Sequence, residues 1–250
     1  MDIKRKKFQG VLNILSFNRH FYIIGLAVLA LIGISRWFIN WPEAFFLFVL
    51  IAFLYGFLAP LFVSAFVYDF SGFYTFKWLE EIDIDYANTK QIVNINAGFD
   101  ETSFIIKSKF PAADIRVFDF YNAEQHTEPA IKRARKVSLV YPNTQQIASG
   151  SIPMQDGSAD LVFLLSAIHE IRTHEERVQF LKECYRICTP GGRVIMVEHL
   201  RDLPNFLAFT IGFTHFFSKT TWKNAFESAG FSQFNETKFT AYMSVFTCRR

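Results

Sequence analysis

"ADLVFLLSAIHEIRTHEERVQFLKECYRICTPGGRVIMVEHL", residues 159–200, runs from one apolar block to another through a charged segment. The block Leu161–Leu165 suits a strand buried on both faces. From His174 to Cys188 the apolar residues recur at helical spacing, and residues 192–200 form a second apolar strand. Pro190 stops the helix, and the glycines after it accept the left-handed backbone that swings the chain into the next strand. Working outward, QIVNINA (91–97) and DIRVFDF (114–120) read as two further strands, with SLVYPN (138–143) as a candidate third. TSFIIKSKF (102–110) and the charged AEQHTEPAIKRARKV (123–137) read as the helices between them. FSQFNETKFTAYMSVFTCR (231–249) holds two strand-like runs with no room for a crossover helix, so an antiparallel hairpin closes the sheet. The expected fold is α/β, a doubly wound, mostly parallel seven-stranded sheet.

The first third of the chain belongs to a different solvent. FYIIGLAVLALIGIS (21–35) and AFFLFVLIAFLYGFLAPLFVSAFVY (44–68) carry no charge. About 20 helical residues cross a bilayer, so the second run spans easily, while the first borrows its flanks, with Arg36 snorkelling and Trp37 and Trp41 at the interface. The reading is an N-terminal two-helix transmembrane hairpin, with Pro42 opening the second helix and Pro60 interrupting it. A signal peptide fits less well, because a second span follows. Lys4, Arg5, Lys6, Lys7 and Arg19 precede the first span and only Arg36 lies between the two, so the N-terminus and everything after the hairpin are expected on the cytoplasmic side of the cell inner membrane. The expected division is residues 1–69 for the basic N-terminus and hairpin and 70–250 for a catalytic domain. Cys184, Cys188 and Cys248 form no CxxC pair and read as reduced thiols; no metal is expected. A net charge of +3 without interleaved aromatic and basic residues argues against nucleic acid. Oligomeric state is not legible.

IPMQDGSADLVFLLSAIHEI (152–171), FLKECYRICTPGGRVIMVE (180–198) and TTWKNAFESAGF (220–231), in this order and spacing, resemble the second half of a class I S-adenosylmethionine-dependent methyltransferase of the type 11 kind. The resemblance covers roughly residues 75–250 and implies a Rossmann-like fold with S-adenosylmethionine as cofactor. It makes VNINAGFDETS (93–103) the cofactor loop, with Asn94 in place of the family's acid and Asn96 and Asp100 at glycine positions, leaving only Gly98. Asn96 tolerates the left-handed region, whereas Phe99 and Asp100 depart from the pattern. Asp119 takes the place of the ribose-binding acid. Gln146, Ser149 and Ser151 are the only polar groups on offer at the adenine side. Ser166 and Glu170 complete the expected cofactor contacts.

The chemistry is expected beyond the strand ends at 166–170 and 198–202. His169 is the expected base, His215 the reserve and His199 the third candidate. Arg201 and Asp202 read as an ion pair. LPNFLAFTIGFTHFF (203–217) reads as an apolar lid facing the membrane. Taken together, the expectation is a membrane-anchored methyltransferase that binds membrane lipids and acts on a lipophilic small molecule, such as a lipid, quinone-like or aryl-pigment precursor. The alternative is a non-catalytic scaffold that keeps the fold.

Overall fold

The structure is a computed structural model and describes residues 5–125 and 128–250. Lys4 of the basic N-terminus and His126 and Thr127 of the charged segment lie outside the described residues. The N-terminal part comprises α1 (Gln9–Phe17), α2 (Arg19–Phe38) and α3 (Glu43–Ala65), the last running through Pro60 into a π-helical turn at Phe66–Phe70. The elements β1 (Gln91–Asn96), α4 (Ser103–Lys109), β2 (Asp114–Asp119), α5 (Pro129–Val137), β3 (Gln145–Gln146), β4 (Ala159–Leu165), α6 (His174–Ile187) and β5 (Cys188–His199) then alternate. α7 (Leu203–Phe209), α8 (Lys219–Ser228), β6 (Gln233–Lys238) and β7 (Met243–Arg249) complete the chain. Gly191, with φ +94°, makes the turn expected at the Pro-Gly-Gly sequence.

Seven strands form one sheet in the order β3-β2-β1-β4-β5-β7-β6. β1 to β5 pair in parallel, and β7 runs antiparallel to both β5 and β6. The expected fold is therefore present, with one correction: the third strand is Gln145–Gln146, not 138–143, and it pairs only with Phe118 and Asp119. One face of the sheet is covered by α6 and α8, which bury Phe180, Trp222 and Phe226. On the other face Phe76, Trp78 and Val67 pack beside Ile106 and Phe163, so the segment leaving α3 is part of the domain's core.

α2 buries none of its residues, and α3 buries only Ser64. Both helices are long and apolar enough to cross a membrane. α1 does not behave this way. Asp69, at the end of α3, accepts hydrogen bonds from the backbone N–H groups of Gly10 (2.7 Å) and Val11 (2.9 Å), capping α1 from a distance of some sixty residues in sequence. Gly10 permits this approach, since a Cβ there would stand 2.4 Å from that of Tyr68.

Candidate active site

β1 and β2 end side by side, and this edge carries the residues expected to meet the cofactor. Asn94 is buried and donates to the hydroxyls of Thr102 (3.2 Å) and Ser103 (2.8 Å), so it braces the loop from below. Asn96 Oδ1 accepts from the Gly98 N–H at 2.7 Å, while its Nδ2 is buried and unpartnered among the described residues. Gly98 sits at φ +81°.

The two residues that depart from the family pattern have structural explanations. Asp100 caps α4 by accepting from the N–H groups of Thr102 and Ser103, both at 2.9 Å; burial nevertheless raises its pKa against those bonds. Phe99 meets Phe17 of α1 edge to face at 5.3 Å, and Glu101 binds Arg5 and, at 2.6 Å, Gln9. The loop has traded glycines for a docking surface for α1.

Asp119 accepts from the Tyr121 N–H at 2.8 Å and from Arg135 Nη1 at 2.7 Å. The Arg135 guanidinium lies over Gly98, where an added Cβ would be 1.3 Å from Nη1, and stacks 4.0 Å above the Tyr121 ring. Beside it a groove of about 380 Å³ is lined by Phe120, Tyr121, Gln146, Ile147, Ala148 and Ser149. Gln146 Nε2 donates to the Tyr121 carbonyl (2.7 Å), and Ser149 donates to Glu176 (2.6 Å). S-adenosylmethionine fits this edge if Arg135 swings away: a buried amide awaits a partner, a glycine keeps the backbone open and a carboxylate faces the ribose position.

The second group of residues stands at the ends of β4 and β5. Ser166, at φ +50°, turns the chain out of β4 so that the 3-10 turn Ile168–Glu170 lies across both strand ends. Such a conformation costs a non-glycine residue about 1–2 kcal/mol. His169 Nδ1 donates to Glu198 Oε2 at 2.8 Å, and Glu198 Oε1 is buried without a partner among the described residues. Burial pulls the pKa of His169 down, but the carboxylates of Glu198 and Glu170 outweigh it and raise it to about 9. At neutral pH this imidazole is a cation, and a base has to be neutral, so its proton must first be displaced.

His215 lies in the 3-10 turn after α7, its ring 5.0 Å from that of His169. Arg172 donates to the carbonyls of both histidines, at 2.9 and 2.7 Å, and ties their segments together. Glu170 Oε1 lies 3.7 Å from His169 Nε2 and 4.0 Å from His215 Nε2. His199 is elsewhere, buried beneath the lid. Its Nδ1–H donates to the Tyr242 carbonyl (2.9 Å), so Nε2 accepts from the Tyr68 hydroxyl (3.0 Å), and burial drives its pKa down to about 4. It joins β5 to the turn Phe66–Phe70 that follows α3. Arg201 and Asp202 do not pair with one another. Arg201 binds the carbonyls of Phe216 and Thr214, and Asp202 caps α7 and binds Lys238.

The family described as methyltransferase domain matches residues 112–196. The chain is 28% identical over 138 residues to a ubiquinone/menaquinone biosynthesis C-methyltransferase of Geotalea daltonii, covering 54% of this chain and 56% of that protein. It is 28% identical over 109 residues to a chloroplastic tocopherol O-methyltransferase of Arabidopsis thaliana, covering 43% and 30%. The chain thus spans about half or less of the length of these relatives. Among solved structures, human N-acetylserotonin methyltransferase in complex with S-adenosylmethionine superposes with a TM-score of 0.56 at 17% identity, covering 97% of this chain and 70% of that one. The fold is that of the Rossmann-like, class I S-adenosylmethionine-dependent methyltransferases. The family match falls on β2 to β5 of the sheet, which two apolar helices precede in the chain.

Proposed function

We propose that the protein is a membrane-anchored methyltransferase, with residues 1–69 as its anchor and 70–250 as its catalytic domain, moving the methyl group of S-adenosylmethionine to an oxygen or activated carbon of a lipophilic small molecule. The observation that carries this is the gathering of His169, Glu170, His215 and Glu198 at the ends of β4 and β5, across the sheet from the Gly98–Asp119 edge. Methyl transfer from a sulfonium is an in-line displacement, and a donor site and an acceptor site on adjoining strand ends supply the alignment it needs. Asn96, Gly98 and Asp119 hold the donor, with Asn94 supporting the loop; Ser166 shapes the turn between the two sites.

The acceptor's character follows from the lid. Tyr55 of α3 donates to the Leu207 carbonyl of α7 at 2.6 Å, and between these helices lies an apolar groove of about 530 Å³ lined by Leu54, Leu58, Phe62 and Leu207. Leu203, Phe206, Leu207 and Ile211 are exposed on the same lid. Apolar surface of this kind, beside a helix that is apolar all round, is favourable in lipid and not in water. The relatives named for quinone and tocopherol methylation support a ring with a lipid tail. The basic residues before α2 favour a cytoplasmic domain at the inner membrane.

Calorimetry of the detergent-solubilised protein with S-adenosylmethionine tests the donor half; absence of binding rules the reading out. His169→Ala tests the acceptor half: turnover is expected to fall about 10²- to 10⁴-fold with cofactor affinity nearly unchanged. Loss of cofactor binding in that variant would move His169 to the donor side. The Arg135–Asp119 pair favours a second reading, a scaffold whose own arginine has replaced the cofactor, and the same calorimetry separates the two.

A further inference from the structure

We propose that His169, Glu170 and His215 form a binding site for one divalent transition-metal ion. The ion's use in methyl transfer rests on the function proposed above, whereas its binding does not.

The geometry is that of a ligand set. His169 Nε2 lies 3.7 Å and His215 Nε2 4.0 Å from the same oxygen, Glu170 Oε1, and the candidate ligand atoms all fall within 4.8 Å of one another. Both separations exceed a hydrogen bond, so three polar side chains converge on one point without bonding each other there. Metal–ligand bonds of about 2.0–2.2 Å place neighbouring ligand atoms roughly 3–3.5 Å apart, so the set needs a contraction of up to about 1.5 Å. His215, the most exposed of the three, has the most room to move.

The outer nitrogens supply an independent observation. His169 Nδ1 is held by Glu198 at 2.8 Å and His215 Nδ1 faces Glu128 at 3.5 Å. A carboxylate behind each imidazole is the arrangement that fixes the tautomer of a ligating histidine and leaves Nε2 for the metal. Glu128, Glu170 and Glu198 also bring three carboxylates together, while the nearest guanidinium, that of Arg172, is spent on the carbonyls of His169 and His215. Glu198, with 1% of its side chain exposed and Oε1 unpartnered, adds buried negative charge directly behind the site.

Two imidazoles and one carboxylate suit Zn²⁺, Mn²⁺, Fe²⁺ or Co²⁺, whereas Mg²⁺ and Ca²⁺ favour all-oxygen shells. Three protein ligands leave coordination positions open, and an acceptor hydroxyl or carbonyl oxygen is the class of group that takes them. An ion there supplies Lewis acidity and orientation to that oxygen.

The test uses full-length protein in detergent, without a histidine tag, stripped with a chelator and titrated with Co²⁺ by its visible d–d absorption. One Co²⁺ per chain is expected, displaced by Zn²⁺. His215→Ala and, as a second variant, Glu170→Gln should each weaken binding at least 100-fold. Glu128→Gln should weaken it about 10- to 100-fold through the outer nitrogen. Circular dichroism confirms that the variants are folded. Absence of one-to-one binding, or binding that both His215→Ala and Glu170→Gln leave unchanged, overturns the proposal. Calorimetry with S-adenosylmethionine on the same samples keeps the two readings apart. Cofactor binding without Co²⁺ binding sinks only the metal site, and the reverse sinks only the methyltransferase.

Discussion

Arg135 and Asp119 hold each other at 2.7 Å across the place expected for a ribose. Removing either partner should act in opposite directions. Asp119→Ala takes away a charged acceptor and is expected to weaken S-adenosylmethionine binding by about 1–3 kcal/mol. Arg135→Ala removes the competing guanidinium and should tighten it, by about tenfold, or about 1.4 kcal/mol. Calorimetry on both variants checks this, and weaker binding by Arg135→Ala would mean that the arginine helps to hold the cofactor. His199 makes a prediction about stability. Its pKa is about 4 in the folded chain against an ordinary 6.5, so the unfolded chain takes up the proton first. Its contribution is complete above pH 6.5 and is lost as pH falls toward 4. His169, raised to about 9, has the opposite sign: its contribution is complete below 6.5 and fades as pH rises through 9. Melting temperature between pH 7 and 4 should fall less steeply in His199→Gln than in the unsubstituted protein, and parallel curves would sink the assignment.

Among the elements, α1 contributes most that its sequence does not announce. Its N-terminus is capped by Asp69, its far end places Phe17 against Phe99, and Arg5 and Gln9 reach Glu101. Arg133 of α5 also reaches the Phe17 carbonyl, so the helix that carries Arg135 is fastened to α1 as well. α1 therefore joins the turn after α3 to the loop that follows β1. Asp69→Ala leaves two N–H groups uncapped, and loss of a cap costs about 0.5–2 kcal/mol. Hydrogen exchange across residues 9–17 should then quicken roughly tenfold, the equivalent of about 1.4 kcal/mol. Unchanged exchange would show that α1 is held by other contacts.

For the whole molecule the question is which solvent surrounds which part. α2 and α3 are apolar on every side and leave their surfaces uncovered, whereas the sheet behind them has two buried faces. A thiol introduced at Asn40, between the spans, should be labelled in intact cells by an impermeant reagent, and one at Asn235 should not. Cys184, Cys188 and Cys248 are buried and leave the background low. Labelling at Asn235 from outside would reverse the orientation.

The sequence by itself determined the sheet. The continuous apolar runs at 92–95 and 161–165, the helical spacing of 174–188 and the closing hairpin are local signals, because each element's burial repeats along its own few residues. It also determined the two apolar helices, since uncharged runs of fifteen and twenty-five residues need no partner to be recognised. β3 escaped because a two-residue edge strand of glutamines has no apolar pattern to read. Only the tertiary structure decided why Phe99 stands in the loop, where His199 faces, and that Arg135 lies on Asp119. It alone brought His215 to His169 and Glu170. These are meetings of side chains far apart in sequence, fixed by how the strand ends, α1 and the segment after β5 pack, and no spacing along the chain encodes them.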